Sequence, residues 1–190
     1  VCVDANDHVV ILNRQDVLEV DLNAGRQAPP IIELDPAGNV VHSWGELSQF
    51  DPRLHSCHFD GENNLWIASA PSGIVQKFSH DGKTLLLQLG KKGMLDSSDG
   101  TEKGRPLNSD AARFFTTSGI QVDRRNGEIY VSDGYGNACV HKYSPDGKLL
   151  KTWGEPGTDP GQFNIVHNIA TDDDGWVYVA DRENHRVQVF

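Results

Sequence analysis

Asp60-Gly61-Glu62-Asn63-Asn64-Leu65-Trp66-Ile67-Ala68 decides the fold, because the same phrase returns along the chain. It recurs from Asp123 to Asp133 and from Asp172 to Asp181, with a looser copy in Val3-Asp4-Ala5-Asn6-Asp7-His8-Val9-Val10-Ile11-Leu12. A second phrase follows each time: Leu34-Asp35-Pro36-Ala37-Gly38, Phe78-Ser79-His80-Asp81-Gly82 and Tyr143-Ser144-Pro145-Asp146-Gly147. A third ends the unit as Trp44-Gly45, Leu89-Gly90 and Trp153-Gly154. The anchors Asp4, Asp60, Asp123 and Asp172 lie 56, 63 and 49 residues apart, which is repeat spacing with insertions.

Leu65/Ile67, Ile129/Val131 and Val177/Val179 alternate with neighbours of different character, as a two-faced strand requires. Asp81-Gly82, Asn126-Gly127, Asp146-Gly147 and Asp174-Gly175 supply the positive φ of tight turns between antiparallel strands. No stretch of ten or more residues repeats apolar positions at helical spacing, so almost no helix is expected. Units of four short strands repeated radially form a β-propeller. A meandering sandwich is the alternative, and the near-identical turn phrases favour the propeller over it.

Residues 1–190 read as one all-β domain. The fourth unit stops after Val187-Gln188-Val189-Phe190, where other copies continue into a turn phrase. The expectation is therefore about four blades of a larger ring, whose two ends do not meet in a clean closure. Two insertions interrupt the period: Asp21 to Pro30, a polar loop, and Lys91 to Thr117, expected as a lid or rim loop.

Composition narrows the function classes. With 37% hydrophobic residues the chain can bury a core, which excludes wholesale disorder. The formal net charge of −10 opposes a general nucleic-acid binder, and Lys91-Lys92 and Arg124-Arg125 are too short to form a basic patch. No apolar run is long enough for a spanning helix. Cys2, Cys57 and Cys139 form no CxxC pair, so neither thiolate zinc knuckles nor thioredoxin-like redox chemistry has support.

Tyr143-Ser144-Pro145-Asp146-Gly147, Trp153-Gly154, Gly161-Gln162-Phe163 and Val177 to Phe190 resemble NHL repeats, which implies a β-propeller, most often six-bladed. A narrower resemblance is to the peptidyl-α-hydroxyglycine lyase of peptidylglycine α-amidating enzymes and its bacterial relatives. It rests on Leu54-His55-Ser56, Asp133-Gly134-Tyr135-Gly136-Asn137, Val166-His167-Asn168 and Ala180-Asp181-Arg182-Glu183-Asn184-His185-Arg186. That resemblance implies zinc held by His55 and His167, with a third histidine from a blade beyond Phe190, and it admits a structural calcium ion. It implies Tyr135 as the base at the substrate hydroxyl. Arg14 and Arg182 would handle the substrate carboxylate and the developing charge. It further implies a small-molecule or peptide substrate and an extracellular or periplasmic setting.

The chain departs from the animal lyase in several places. Gly136, Tyr178 and Val189 stand where that lyase has paired cysteines, and Cys57 and Cys139 match neither pair, so those disulfides are expected to be lost. Leu54 and Val166 replace the proline before each metal histidine.

The repeat supports a site independently of the resemblance. His55 stands five residues before Asp60, Ser118 five before Asp123 and His167 five before Asp172. Equivalent slots of a radial repeat meet near the axis, so His55 and His167 converge although 112 residues separate them. Two imidazoles and a third donor suffice for zinc with an open position. The competing interpretation makes them structural histidines at the base of a strand. His58, three residues after His55, is the alternative ligand. His8, His80, His141 and His185 are expected at turns or exposed strand positions, in water. Two functions remain: a zinc-dependent carbon–nitrogen lyase, or a propeller whose rim binds protein or glycan. Zinc content of the full-length protein discriminates them.

Overall fold

The computed structural model describes residues 1–13, 28–46, 48–50, 53–70, 72–96 and 113–190. Arg14, most of the Asp21–Pro30 loop and the centre of the Lys91–Thr117 insertion lie outside them. The strands are β1 (Cys2–Val3), β2 (Val9–Leu12), β3 (Ile31–Leu34), β4 (Val40–Trp44), β5 (Leu54–Phe59), β6 (Leu65–Ser69), β7 (Ile74–Phe78) and β8 (Leu85–Gly90). They continue as β9 (Thr117–Val122), β10 (Ile129–Asp133), β11 (Cys139–Tyr143), β12 (Leu149–Trp153), β13 (Glu155–Pro156), β14 (Gln162–Phe163), β15 (Val166–Thr171), β16 (Val177–Asp181) and β17 (Arg186–Val189). One 3-10 turn, Arg182–Asn184, is the sole helical element among the described residues.

Each sheet keeps its strands in chain order: β1-β2-β3-β4, β5-β6-β7-β8, β9-β10-β11-β12 and the three-stranded β15-β16-β17. Within these four sheets every pairing is antiparallel, while the short β13–β14 pair between the third and fourth is parallel. The strands expected to be equivalent, over Val9, Leu65, Ile129 and Val177, are each the second strand of their sheet. The sheets follow one another through their first strands, β1 against β5, β5 against β9 and β9 against β15. No comparable contact joins β15 to β1 among the described residues. Among the described residues the arrangement is therefore a series of propeller blades and not a sandwich.

The repeat phrases fold as their chemistry dictates. Asp60 Oδ1 accepts the backbone N–H groups of Glu62 and Asn64 at 3.0 Å, clamping the β5–β6 turn. Asp172 Oδ1 does the same for Asp174, Gly175 and Trp176 at 2.8–3.0 Å. These Asx-type clamps explain why the anchor is an aspartate.

The core lies between blades. Leu65 and Ile67 pack with Val10, Ile31 and Phe78 at the junction of the first and second blades. Trp66 and Ala68, on the opposite face of β6, pack with Ile120, Ile129 and Val131 of the third. Tyr130 faces Val166, Val177 and Val179 of the fourth. A blade flanked on both sides buries both faces of its second strand, and so β6 and β10 are buried throughout. In β16 alternation survives: Val177 and Val179 are buried and Tyr178 is exposed.

One expectation is corrected here. His141 is not in water; it is 1% exposed. It lies on β11 with Nδ1 3.0 Å from Thr152 Oγ1 and its ring 5.1 Å from Phe114. Simple alternation fails for a strand enclosed by neighbouring blades. The cysteines add a finding that the sequence reading did not make. The lyase-type cysteine pairs are absent, with Tyr178 and Val189 directly opposite one another on β16 and β17. A different disulfide, Cys2–Cys57, is nevertheless present. It joins β1 to β5, the first strands of adjacent blades. Among the described residues no helix is long and apolar enough to cross a membrane.

Candidate functional site

The slot five residues before each anchor has a common backbone form. In β5, Leu54 pairs with Ser69 and Ser56 with Ala68, leaving His55 as the extra residue of a β-bulge. In β9, Thr117 pairs with Asp133 and Gly119 with Ser132, leaving Ser118. In β15, Val166 pairs with Asp181 and Asn168 with Ala180, leaving His167. A bulge turns the side chain out of the regular alternation and re-aims it.

The result is a cluster. The His55 and His167 rings lie with centroids 5.4 Å apart and 74° between their planes. Tyr135 sits 5.5 Å from His55 and 5.7 Å from His167. Arg182 Nη1 donates to Tyr135 Oη at 3.0 Å, and its guanidinium carbon lies 5.4 Å from the ring centroid. Its Nε donates to Glu183 Oε1 at 2.8 Å. Four of the five residues selected from sequence thus meet at one place, and the fifth, Arg14, lies outside the described residues.

The supports of this cluster escaped sequence reasoning. His55 Nδ1 donates to the carbonyl of Ser118 at 2.7 Å. A carbonyl only accepts, so the Nδ1 proton is assigned and Nε2 carries the lone pair. Ser118, 2% exposed, donates its hydroxyl to the Val166 carbonyl at 2.5 Å. One serine therefore braces both histidine segments. Its slot was visible in the repeat; its role was not.

Gly134 is explained by space. A Cβ there would lie 1.7 Å from the Val166 carbonyl oxygen, so only glycine lets the Tyr135 loop approach the β15 strand. Gly134→Ala is expected to cost about 1–3 kcal/mol as the backbone shifts. Denaturant midpoints measure this, and an unchanged midpoint would show that the loop has other freedom. Asp133 anchors the same loop, accepting from Phe115 N and Thr116 N at 2.9 Å and from Asn137 Nδ2.

The approach to His167 is strained. Ile165 has φ 61°, a left-handed conformation disfavoured for a β-branched residue. Its carbonyl accepts the Arg182 N–H at 3.0 Å, and Asn164 N donates to Asp181 Oδ1 at 2.7 Å. The segment carrying Arg182 therefore also holds the backbone that presents His167. Burial, with the Arg182 charge beside it, lowers the His167 pKa below its ordinary value and favours the neutral ring.

The residues fit a shared metal ion. Two imidazoles bound to one tetrahedral ion at about 2.0–2.1 Å place their centroids about 5 Å apart, close to the 5.4 Å found. The His55 bond to a backbone carbonyl is the outer contact that typically orients a metal-binding imidazole.

His58 does not join this group. Its Nε2 is sealed from solvent with no partner among the described residues. Burial, then the positive charge of Arg124, lowers its pKa to about 4. The unfolded chain therefore takes up a proton below pH 6.5 that the folded chain refuses until about pH 4. Stability should fall by roughly 3 kcal/mol as pH drops through that window. In a comparison of melts from pH 7 to 4, His58→Gln should flatten the loss; an identical slope in both proteins would remove His58 as its source.

The NHL repeat family matches residues 163–190. Over 170 residues, 84% of this chain and 29% of the relative, the chain is 30% identical to peptidyl-alpha-hydroxyglycine alpha-amidating lyase 1 of Drosophila melanogaster. It is 33% identical over 172 residues to NHL repeat-containing protein 3 of Homo sapiens, covering 87% of this chain and 46% of that protein. The chain spans less than half the length of the curated relatives it matches. Among solved structures, an auxiliary nutrient binding protein from Bacteroides ovatus superposes over 99% of this chain and 46% of its own, at TM-score 0.67 and 16% identity.

Proposed function

We propose that this chain, an NHL-repeat propeller that resembles the amidating lyases along most of its length, forms part of a metal-dependent carbon–nitrogen lyase. The substrate class is a peptide or acyl group ending in α-hydroxyglycine, and the products are the amide and glyoxylate. The observation that carries this reading is the meeting of His55, His167, Tyr135 and Arg182 from three different blades.

His55 and His167 would hold zinc, completed by groups outside this pair. Zinc supplies polarisation of a bound hydroxyl oxygen. Tyr135 Oη takes the hydroxyl proton of the substrate. The carbon–oxygen bond becomes the carbonyl of glyoxylate, the carbon–nitrogen bond breaks, and its electron pair goes to the amide nitrogen, which takes up a proton. Arg182, donating to Tyr135 Oη, stands where its charge would stabilise the phenolate that receives this proton and then returns it to the departing nitrogen. Arg14 is proposed for the substrate carboxylate, which a guanidinium grips bidentately. A structural calcium ion belongs to the same proposal without assigned residues. The Cys2–Cys57 disulfide supports an oxidising setting such as the periplasm or the extracellular space.

The test is glyoxylate release from an N-acyl-α-hydroxyglycine by the zinc-loaded full-length protein. Tyr135→Phe should lower kcat about 100-fold or more while zinc content stays unchanged. Release no faster than the spontaneous rate would defeat the lyase reading. The second reading, a propeller that binds protein or glycan, draws on the comparable similarity to NHL repeat-containing protein 3, whose name assigns no reaction. It expects a folded protein without stoichiometric zinc at His55 and His167.

A further inference from the structure

A second group of ionisable side chains occupies the junction of the first and second blades. Glu33, on β3, is 6% exposed. Its Oε1 lies 2.7 Å from His8 Nδ1 and 3.5 Å from His80 Nε2, and its Oε2 lies 3.7 Å from His42 Nδ1. His80, from the turn between β7 and β8, also places Nε2 3.6 Å from Asp4 Oδ2. These histidines are not merely solvated turn residues, because blade packing delivers carboxylates to them.

The His80 ring is fixed in place. It stacks on Phe59 with centroids 5.3 Å apart, and its Nδ1 lies 3.1 Å from the Asn63 carbonyl oxygen. That carbonyl only accepts, so Nδ1 bears the proton, and in the neutral ring Nε2 presents a lone pair. The lone pair faces two carboxylate oxygens. A lone pair facing two carboxylate oxygens is repelled unless positive charge sits beside them, which a bound cation supplies alongside the proton that His8 Nδ1 presents to Glu33 Oε1. Asp4 Oδ1 accepts the turn N–H groups of Asn6 and His8 at 2.8 Å, while Oδ2, which accepts from Asn6 Nδ2 at 3.4 Å, lies on the His80 side.

We propose that Asp4 Oδ2, Glu33 Oε1 and His80 Nε2 bind a first-row divalent cation of the zinc type, which staples the first blade to the second. Donors at about 2.0–2.1 Å from a tetrahedral ion are about 3.4 Å apart, close to the 3.5 and 3.6 Å that separate His80 Nε2 from the two carboxylate oxygens. An imidazole with two carboxylates suits zinc and its neighbours better than calcium. His8 and His42 orient Glu33 from outside, and water takes the fourth position. This site shares no residue with the His55–His167 cluster and does not depend on the lyase reading.

The experiment titrates zinc into the full-length protein carrying His55→Ala and His167→Ala, by calorimetry and thermal melting at pH 7.5. One equivalent should bind and raise Tm. Adding His80→Gln, at a partly exposed turn position where folding is checked by circular dichroism, should weaken binding at least tenfold and abolish the Tm rise. Adding Glu33→Gln should do the same. Absence of binding in the His55→Ala, His167→Ala protein overturns the site, as does binding that survives His80→Gln. If acidification to pH 6 without zinc raises Tm as much as zinc does at pH 7.5, a proton supplies the charge at this junction and the metal assignment falls.

Discussion

Replacing His167 with alanine should remove the zinc equivalent held at the His55–His167 cluster and lyase turnover together. The His55 and His167 rings stand 5.4 Å apart, close to the about 5 Å that one shared ion would set, so under the proposed metal role each would supply a donor the other cannot replace. Loss of an outer contact alone costs a metal centre about 10–100-fold; loss of a ligand should cost at least the upper end of that range in zinc affinity, with turnover falling in step. The measurement is zinc per polypeptide and glyoxylate release for the full-length protein and for His167→Ala. His185→Asn serves as control, because His185 has a left-handed backbone that asparagine accepts and lies outside the cluster. Zinc content unchanged in His167→Ala would move the ligand role elsewhere and end the assignment made here.

Reduction of the Cys2–Cys57 bond should destabilise the protein by about 4 kcal/mol. The bond closes a loop of separation 55, and cross-linking a loop of that size removes about that much chain entropy from the unfolded state. Urea denaturation with and without reductant reads the difference, and Cys2→Ser should match the reduced wild type. Cys139 supplies an internal check: it is buried, and burial holds its thiol pKa well above the ordinary value. A thiol reagent should therefore find no reactive cysteine in the native oxidised protein and three after reduction and unfolding. Equal midpoints in oxidised and reduced protein would show that blade packing alone holds β1 against β5.

The architecture was legible because each repeat phrase has a local cause. Asp60 and Asp172 clamp turns formed by their own neighbours, and Leu65-Trp66-Ile67 alternates by the geometry of a strand. The convergence of His55 and His167 was legible for a related reason: equal positions in a radial repeat fall at equal radius. Cys2 and Cys57 stand two and three residues before their anchors, so equal repeat position did not mark them as a pair. Reading His141 as solvated failed because alternation does not say how many blades flank a strand.

By itself, then, the sequence determined the strand order, the turn clamps, the blade repeat and the slot shared by His55, Ser118 and His167, all of which depend on short-range geometry. Only the tertiary structure decided that this slot is a β-bulge, that the Ser118 carbonyl sets the His55 tautomer, and that Gly134 admits the Tyr135 loop against β15. It alone decided that Asp4, Glu33 and His80 share one blade junction. These depend on contacts between blades, where residues dozens of positions apart approach within a few ångströms, and no local pattern encodes the direction in which a bulged side chain is turned.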